Sequence, residues 1–144
     1  MSAIKRVSAH EAKALLDEGH TFLDVRTEAE FAAGHPVGAL NVPYAFSGAS
    51  GMTPNPEFVA VAQKLFPKDT PLVLGCRSGN RSMKAAKLLE EAGYTRLVDL
   101  RPGWDGVRNA FGQVTEKGWS AEALPSETVT LGGSFAELTT KANG

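Results

Sequence analysis

The stretch PLVLGCRSGNRSMKAAKLLEEAG, residues 71–93, reads as a strand, a loop and a helix in immediate succession. Pro71 to Gly75 is a compact apolar run with the length of a buried strand. The loop Cys76 to Ser82 has short or basic side chains, and a helix is predicted from about Arg81 to a glycine stop at Gly93. The buried face of this helix is expected to consist of Ala85, Leu88, Leu89 and Ala92.

Helix starts are recognisable at three earlier places. Ser8 to Glu11 and Thr27 to Glu30 have the spacing of capping boxes, in which a hydroxyl precedes a carboxylate by three residues. Asn55-Pro56 predicts a third start, with a capping side chain followed by proline at the first helical position. Residues 44–54 are rich in Gly, Ser and Pro and are predicted to form a surface loop.

Short apolar runs between these helices are predicted strands, at residues 21–25, 39–42 and 96–100. Strands that alternate with helices indicate an α/β domain built on a largely parallel sheet. Active sites of such sheets lie beyond the carboxyl ends of the strands, and Cys76 falls at one of these ends. Trp104 and Phe111 are predicted to lie in the core, whereas the apolar residues after Gly112 have no clear period.

Charge and composition exclude several classes of function. The chain has 144 residues, 42% of them hydrophobic, and a formal net charge of -1, which is ordinary for one globular domain. A nearly neutral chain is not expected to bind nucleic acid or a membrane surface electrostatically. No run approaches the roughly 18 apolar residues of a membrane span, and the N-terminus lacks the apolar stretch of a secretory signal. We therefore expect a cytoplasmic protein.

Cys76 is the single cysteine of the chain. One cysteine forms neither an internal disulfide nor a multi-cysteine zinc site. The three histidines, His10, His20 and His35, are scattered. We therefore expect no metal and no cofactor.

The loop after Cys76 has features that suit a reactive sulfur. A loop that runs from a strand into a helix start points backbone N–H groups inward, and a sulfur there is stabilised as an anion. Gly79 allows a positive φ, and Asn80 is placed to cap the helix. Arg77 and Arg81 supply charge for an anionic substrate. The alternative is an inert core cysteine followed by an ordinary turn, but two flanking arginines favour the reactive interpretation.

Several motifs resemble those of rhodanese domains. The first signature is matched by FLDVRTEAEF at 22–31 and GALNVP at 38–43, and the active loop is matched by CRSGNRS at 76–82. GY at 93–94 and GW at 103–104 resemble the closing segment of the family. The resemblance covers about residues 5 to 112.

The resemblance implies a rhodanese-like fold, a five-stranded and largely parallel sheet with helices on both faces. It implies a sulfurtransferase domain over residues 1–112 and leaves residues 113–144 as a C-terminal extension of unknown role. In that family, thiosulfate or a similar donor would give its outer sulfur to the catalytic Cys76 as a persulfide. Cyanide or a thiol, including a protein cysteine, would then remove it. The implied substrate-binding residues are Arg77, Ser78, Gly79, Asn80, Arg81 and Ser82.

Asp24 and Arg26, in the first signature, are predicted to support the site from the end of their strand. Asp24 would hold groups of the loop, and Arg26 would pair with a carboxylate. The alternative is a structural ion pair that stabilises the fold. His35 is interpreted as a hydrogen-bonded structural residue.

Two other functions remain open at this point. A cysteine phosphatase or arsenate reductase of the Cdc25 type shares this architecture but places arginine six residues after the cysteine, where this chain has Ser82. A catalytically idle rhodanese-like module would serve in protein binding, although such modules commonly lose the cysteine. Arg77 favours thiosulfate as the donor over mercaptopyruvate, because basic loops in the family tend to go with thiosulfate.

Overall fold

The computed structural model describes residues 4–143. Along the chain the strands are β1 (Lys5–Val7), β2 (Thr21–Asp24), β3 (His35–Pro36), β4 (Leu40–Asn41), β5 (Ala45–Gly48), β6 (Gly51–Pro54), β7 (Leu72–Gly75), β8 (Leu97–Leu100), β9 (Val107–Arg108), β10 (Val114–Glu116) and β11 (Ser126–Glu127). The helices are α1 (Ala9–Asp17), α2 (Glu28–Ala33), α3 (Phe58–Leu65), α4 (Asn80–Glu91) and α5 (Phe135–Asn143), with a 3-10 helix at Trp119–Ala121.

Five strands form one sheet in the order β1-β8-β7-β2-β4, and every neighbouring pair is parallel. Successive side chains of a strand point to opposite faces, so the sheet separates two apolar clusters. Residues of α3, α4 and α5 pack on one face, and residues of α1 and α2 pack on the other. The predicted fold, a five-stranded parallel sheet with helices on both faces, is confirmed.

Both predicted capping boxes are present, at the starts of α1 and α2. The third helix begins later than predicted, at Phe58 rather than Pro56. The cause is Asn55, whose Oδ1 accepts from the Glu57 N–H at 3.0 Å while its Nδ2 donates to the Pro43 carbonyl at 2.9 Å. These bonds close a turn ahead of the helix and tie it to the segment after β4.

Residues 44–54, predicted to be a surface loop, are largely exposed, but they form an antiparallel hairpin of β5 and β6 rather than a loop. Its turn is closed by Gly51, which has a φ of +102°. Only Ala45 of the two strands is buried. A hairpin that buries so little shows no alternation of apolar and polar residues, which is the pattern that predicts strands.

The buried face of α4 consists of Ser82, Ala85, Ala86 and Leu89. Leu88, predicted to be on this face, is 38% exposed, because successive helical residues are about 100° apart and Leu88 therefore lies well to one side of Leu89. Phe111 is also not in the core as predicted. It lies in the turn between β9 and β10 and is 87% exposed.

The segment after residue 112 packs against the rest of the chain. Trp119 is buried and meets Phe22 of β2 edge to face, with ring centroids 6.0 Å apart. Strand β11 pairs with β3, and α5 packs on α3 with Leu138 in the main apolar cluster. Residues 113–143 therefore add apolar side chains to both faces of the sheet.

Candidate active site

Cys76 follows directly on β7, between β2 and β8 at the carboxyl ends of the strands. Its side chain points to the face that carries α3 and α4 and is 2% exposed. The residue before it, Gly75, has no room for a side chain, because a Cβ there would lie 2.4 Å from the Phe22 ring on the other face of the sheet. The position of Cys76 thus follows from a buried central strand that ends in a glycine.

The sulfur of Cys76 has two polar neighbours. The Gly79 N–H donates to Sγ over 3.1 Å, and the Ser82 Oγ lies 3.4 Å from Sγ. Gly79 has a φ of +96° and is itself the N-cap residue of α4. The predicted capping role of Asn80 is therefore wrong, since Asn80 is already the first residue of the helix.

Substitution of Gly79 by alanine is expected to lower the free energy of unfolding by at least about 2 kcal/mol. A Cβ there would lie 2.4 Å from the Arg101 carbonyl oxygen and 2.7 Å from Nη2 of Arg6, in a backbone conformation that disfavours any side chain. Gly112→Ala is the matched control, because Gly112 has a φ of +79° and open space around it, so only about 1 kcal/mol is expected. Urea denaturation compares the two, and equal losses would contradict the steric argument.

The two arginines of the loop have different surroundings. Arg77 is exposed and its Nε donates to Asp105. Arg77, Ser78 and Asn80 line an open cavity of ≈ 430 Å³ together with Asp105 and Arg108. Arg81 is not among the residues that line that cavity, and it forms a bidentate pair with Glu30, at 2.8 and 3.0 Å.

Glu30 connects α2 to the active loop, a role that its place in the capping box did not reveal. One oxygen accepts from the Thr27 N–H, and both accept from Arg81. Burial alone would raise the pKa of Glu30, but the hydrogen bonds from Arg81 and Thr27 outweigh it and lower the pKa to about 2. The Glu30 carboxylate of the folded protein is therefore ionised at neutral pH.

Because the pKa of Glu30 falls from 4.5 to about 2 on folding, its contribution to stability is complete above pH 4.5 and is lost as the pH falls toward 2. Glu30→Gln is expected to lower the free energy of unfolding by about 1 kcal/mol at neutral pH and to flatten this acid dependence. Denaturation between pH 2 and 7 measures both effects. Glu28→Gln, at an exposed position of the same helix, is the control, and an equal acid dependence in all three proteins would contradict the assignment.

Asp24 and Arg26 form a buried ion pair on the other face of the sheet. Asp24 shares the side of β2 with Phe22, opposite the side that carries the Cys76 sulfur. Arg26 Nη2 donates to Asp24 at 2.7 Å and to the Gly34 carbonyl at 2.6 Å, and its guanidinium lies 5.1 Å from the Trp104 ring centre. The pair lines a small pocket together with Gly75, Cys76 and Trp104, on the face of the sheet opposite the sulfur.

His35 is fully buried, with Nδ1 2.7 Å from the Phe31 carbonyl oxygen and Nε2 2.9 Å from Oγ1 of Thr130. Its contacts join α2 to the segment before α5. The imidazole therefore takes part in packing of the C-terminal segment.

Sequence reasoning missed Asp99 and Arg6, which lie beneath the loop. Arg6 of β1 donates from Nε to Asp99 Oδ2 at 2.8 Å and from Nη2 to the Gly79 carbonyl at 3.4 Å. Asp99 interrupts the apolar run LVDL at 97–100. Because an unpaired buried charge is costly, this carboxylate was a signal in the sequence for a cationic partner.

Among residues 4–143, no three His, Cys, Asp or Glu side chains are grouped so that they could hold a metal ion. Within the same range no helix combines the length and the apolar character needed to cross a membrane.

The family profile described as Rhodanese-like domain matches residues 8–110. Thiosulfate sulfurtransferase 16, chloroplastic, of Arabidopsis thaliana is 40% identical over 121 residues, which are 84% of this chain and 91% of that protein. Senescence-associated protein DIN1 of Raphanus sativus is 41% identical over 98 residues, 68% of this chain but 54% of that protein. The crystal structure of Rv0390 from M. tuberculosis has a TM-score of 0.74 and 31% identity, and the match covers 89% of this chain and 100% of that one. The chain therefore belongs to the family of rhodanese-like domains and is a homologue of sulfurtransferases.

Proposed function

We propose that this protein is a thiosulfate sulfurtransferase that carries sulfane sulfur as a persulfide on Cys76. The observation that carries the proposal is the position of the only cysteine. Its sulfur lies at the end of a central strand, receives the Gly79 N–H, and faces the start of α4. Such a setting stabilises an anionic sulfur by backbone dipoles.

The reaction has two displacement steps and needs neither a metal nor a cofactor. In the first, the Cys76 thiolate attacks the outer sulfur of thiosulfate, the S–S bond of the donor breaks, and sulfite leaves with the electron pair. In the second, cyanide or a thiolate attacks the outer sulfur of the persulfide, and Cys76 leaves as a thiolate. A protein cysteine is an equally suitable acceptor, so a sulfur relay between proteins would use the same two steps. We place this reaction in the cytoplasm.

The open cavity beside the loop supports an anionic donor. Arg77 and Arg108 line it, and Asp105 is the carboxylate that shares it. Two guanidinium groups against one carboxylate leave a net positive site, which favours a dianion such as thiosulfate. Ser78 and Asn80 add hydrogen-bonding groups at the edge of this cavity.

A Cdc25-type phosphatase or arsenate reductase is the less favoured function. The residue six positions after Cys76 is Ser82, which is buried and lies against the sulfur. The guanidinium of Arg81 is engaged by Glu30. A phosphoryl or arsenate group at the sulfur would therefore lack the arginine that such enzymes place in the loop.

The test is the intact mass of the reduced protein after mixing with thiosulfate. A gain of one sulfur atom that cyanide removes is expected. Mercaptopyruvate and an aryl phosphate are the comparison substrates. No sulfur gain from either donor would refute the proposal in favour of an idle binding module, and release of phosphate would favour the phosphatase.

A further inference from the structure

Asp99 is a buried carboxylate near Cys76, and it has no role in the sulfur transfer proposed above. Its side chain lies on the same side of β8 as Leu97, toward the face that holds the Cys76 sulfur. Oδ2 accepts from Arg6, but Oδ1 is buried and has no hydrogen-bond partner within residues 4–143. Buried polar atoms without a partner are rare, so this oxygen calls for an explanation.

Ser82 is a neighbour of both Asp99 and the sulfur. Its side chain is fully buried, and its hydroxyl is 3.4 Å from Cys76 Sγ. Burial raises the pKa of Asp99, and hydrogen bonding from Ser82 and Arg6 opposes only part of that rise. The Ser82 hydroxyl is therefore a neighbour of both the Cys76 sulfur and the Asp99 carboxylate.

The number of protons that Cys76, Ser82 and Asp99 share limits which hydrogen bonds they can form at the same time. A serine hydroxyl donates one hydrogen bond and accepts others. When Cys76 is a thiol, it donates to Ser82, and Ser82 donates to the Asp99 carboxylate. When Cys76 is a thiolate, Ser82 donates to the sulfur, and Oδ1 of Asp99 gains a partner only if it is protonated and donates to Ser82. The two satisfied arrangements differ by one proton moved along two hydrogen bonds.

We propose that Cys76, Ser82 and Asp99 form a proton relay in which Asp99 takes the thiol proton when Cys76 becomes the nucleophile. A thiol and a carboxylate become a thiolate and a carboxylic acid, and Ser82 gives one proton and receives one. Asp99 acts through Ser82, so it is a positioning residue. Its part in turnover rests on the proposed function, whereas the proton transfer itself takes place in the free protein.

The other charged groups around the relay keep their charge while it operates. Arg6 of β1 and Arg101 after β8 face Asp99, and Arg81 of α4 faces Cys76. Guanidinium groups do not titrate near neutrality, and Glu30 stays ionised because its pKa is about 2. None of these groups titrates near neutral pH. A pH dependence of the alkylation rate of Cys76 there therefore reports the proton of the relay.

The test is the rate at which iodoacetamide alkylates Cys76, followed by intact mass and normalised to the rate at high pH. In the wild type the proton stays within the relay, so the rate is expected to be independent of pH between about pH 5 and pH 7. In Asp99→Asn and Ser82→Ala the thiol must lose its proton to solvent, and the rate is expected to fall about tenfold for each pH unit. Ser82→Thr retains the hydroxyl and is expected to keep the plateau.

A wild-type rate that falls throughout this range, or a plateau that survives in Asp99→Asn, would overturn the relay. If Asp99→Asn does not fold, Ser82→Ala decides. Asp17→Asn, an exposed carboxylate of α1, is the control and is expected to match the wild type. Alkylation needs no sulfur donor, so a plateau without persulfide formation would refute the proposed function and leave the relay standing.

Discussion

Substitution of Cys76 by serine is expected to abolish sulfur transfer, with a loss of more than about a thousandfold in turnover. The serine hydroxyl is nearly isosteric with the thiol, but it has no accessible anion near neutrality and forms no persulfide. The Gly79 N–H that contacts Sγ at 3.1 Å would meet a neutral oxygen in its place. The variant should gain no sulfur from thiosulfate under conditions in which the wild type gains one atom.

Steady-state kinetics with thiosulfate and cyanide complete this test. A covalent persulfide requires ping-pong kinetics in the wild type, with parallel lines in double-reciprocal plots. The unfolding midpoint of Cys76→Ser should remain close to that of the wild type, because the substitution removes little volume. Sequential kinetics, or substantial residual turnover in a folded variant, would rule out Cys76 as the sulfur carrier.

Trp119→Ala is expected to lower the free energy of unfolding by about 3–5 kcal/mol, the usual effect of removing a large buried aromatic side chain. Trp119 is 1% exposed and packs edge to face on Phe22 of the central sheet. Its indole N–H also donates to the Pro125 carbonyl at 3.1 Å, which stabilises the chain that leads into β11. Urea denaturation measures the effect.

Phe111→Ala is the matched control for that experiment, because Phe111 is also a large aromatic residue but is 87% exposed. A change within about 0.5 kcal/mol is expected for it. Equal effects of the two substitutions would mean that Trp119 does not contribute to the core. The division into a domain over 1–112 and an extension over 113–144 stays a prediction, and a large loss in Trp119→Ala alone would show that the extension stabilises the domain.

Local patterns in the sequence predicted the α/β class and the place of Cys76 at the end of a strand, and the resemblance to rhodanese domains supplied the number of strands. Capping boxes at Ser8 and Thr27 depend on contacts three residues apart, so the residues themselves specify the helix starts. The strand before Cys76 is apolar on both faces because helices cover both sides of a parallel sheet. The helix caps join residues close in sequence, and the burial of a central strand shows in its composition, which is why both could be predicted.

The partners of the charged and polar groups were decided by the tertiary structure. Arg81 pairs with Glu30 across 51 residues, and Arg6 pairs with Asp99 across 93. Neither separation has a periodic signal, because each contact depends on how strands and helices are ordered around the sheet. The sequence by itself therefore predicted the alternation of strands and helices, the starts of α1 and α2, and the strand-to-helix loop that holds Cys76. The surroundings of the sulfur, the ion pairs of the arginines and the packing of the C-terminal segment depended on contacts that exist only once distant elements meet.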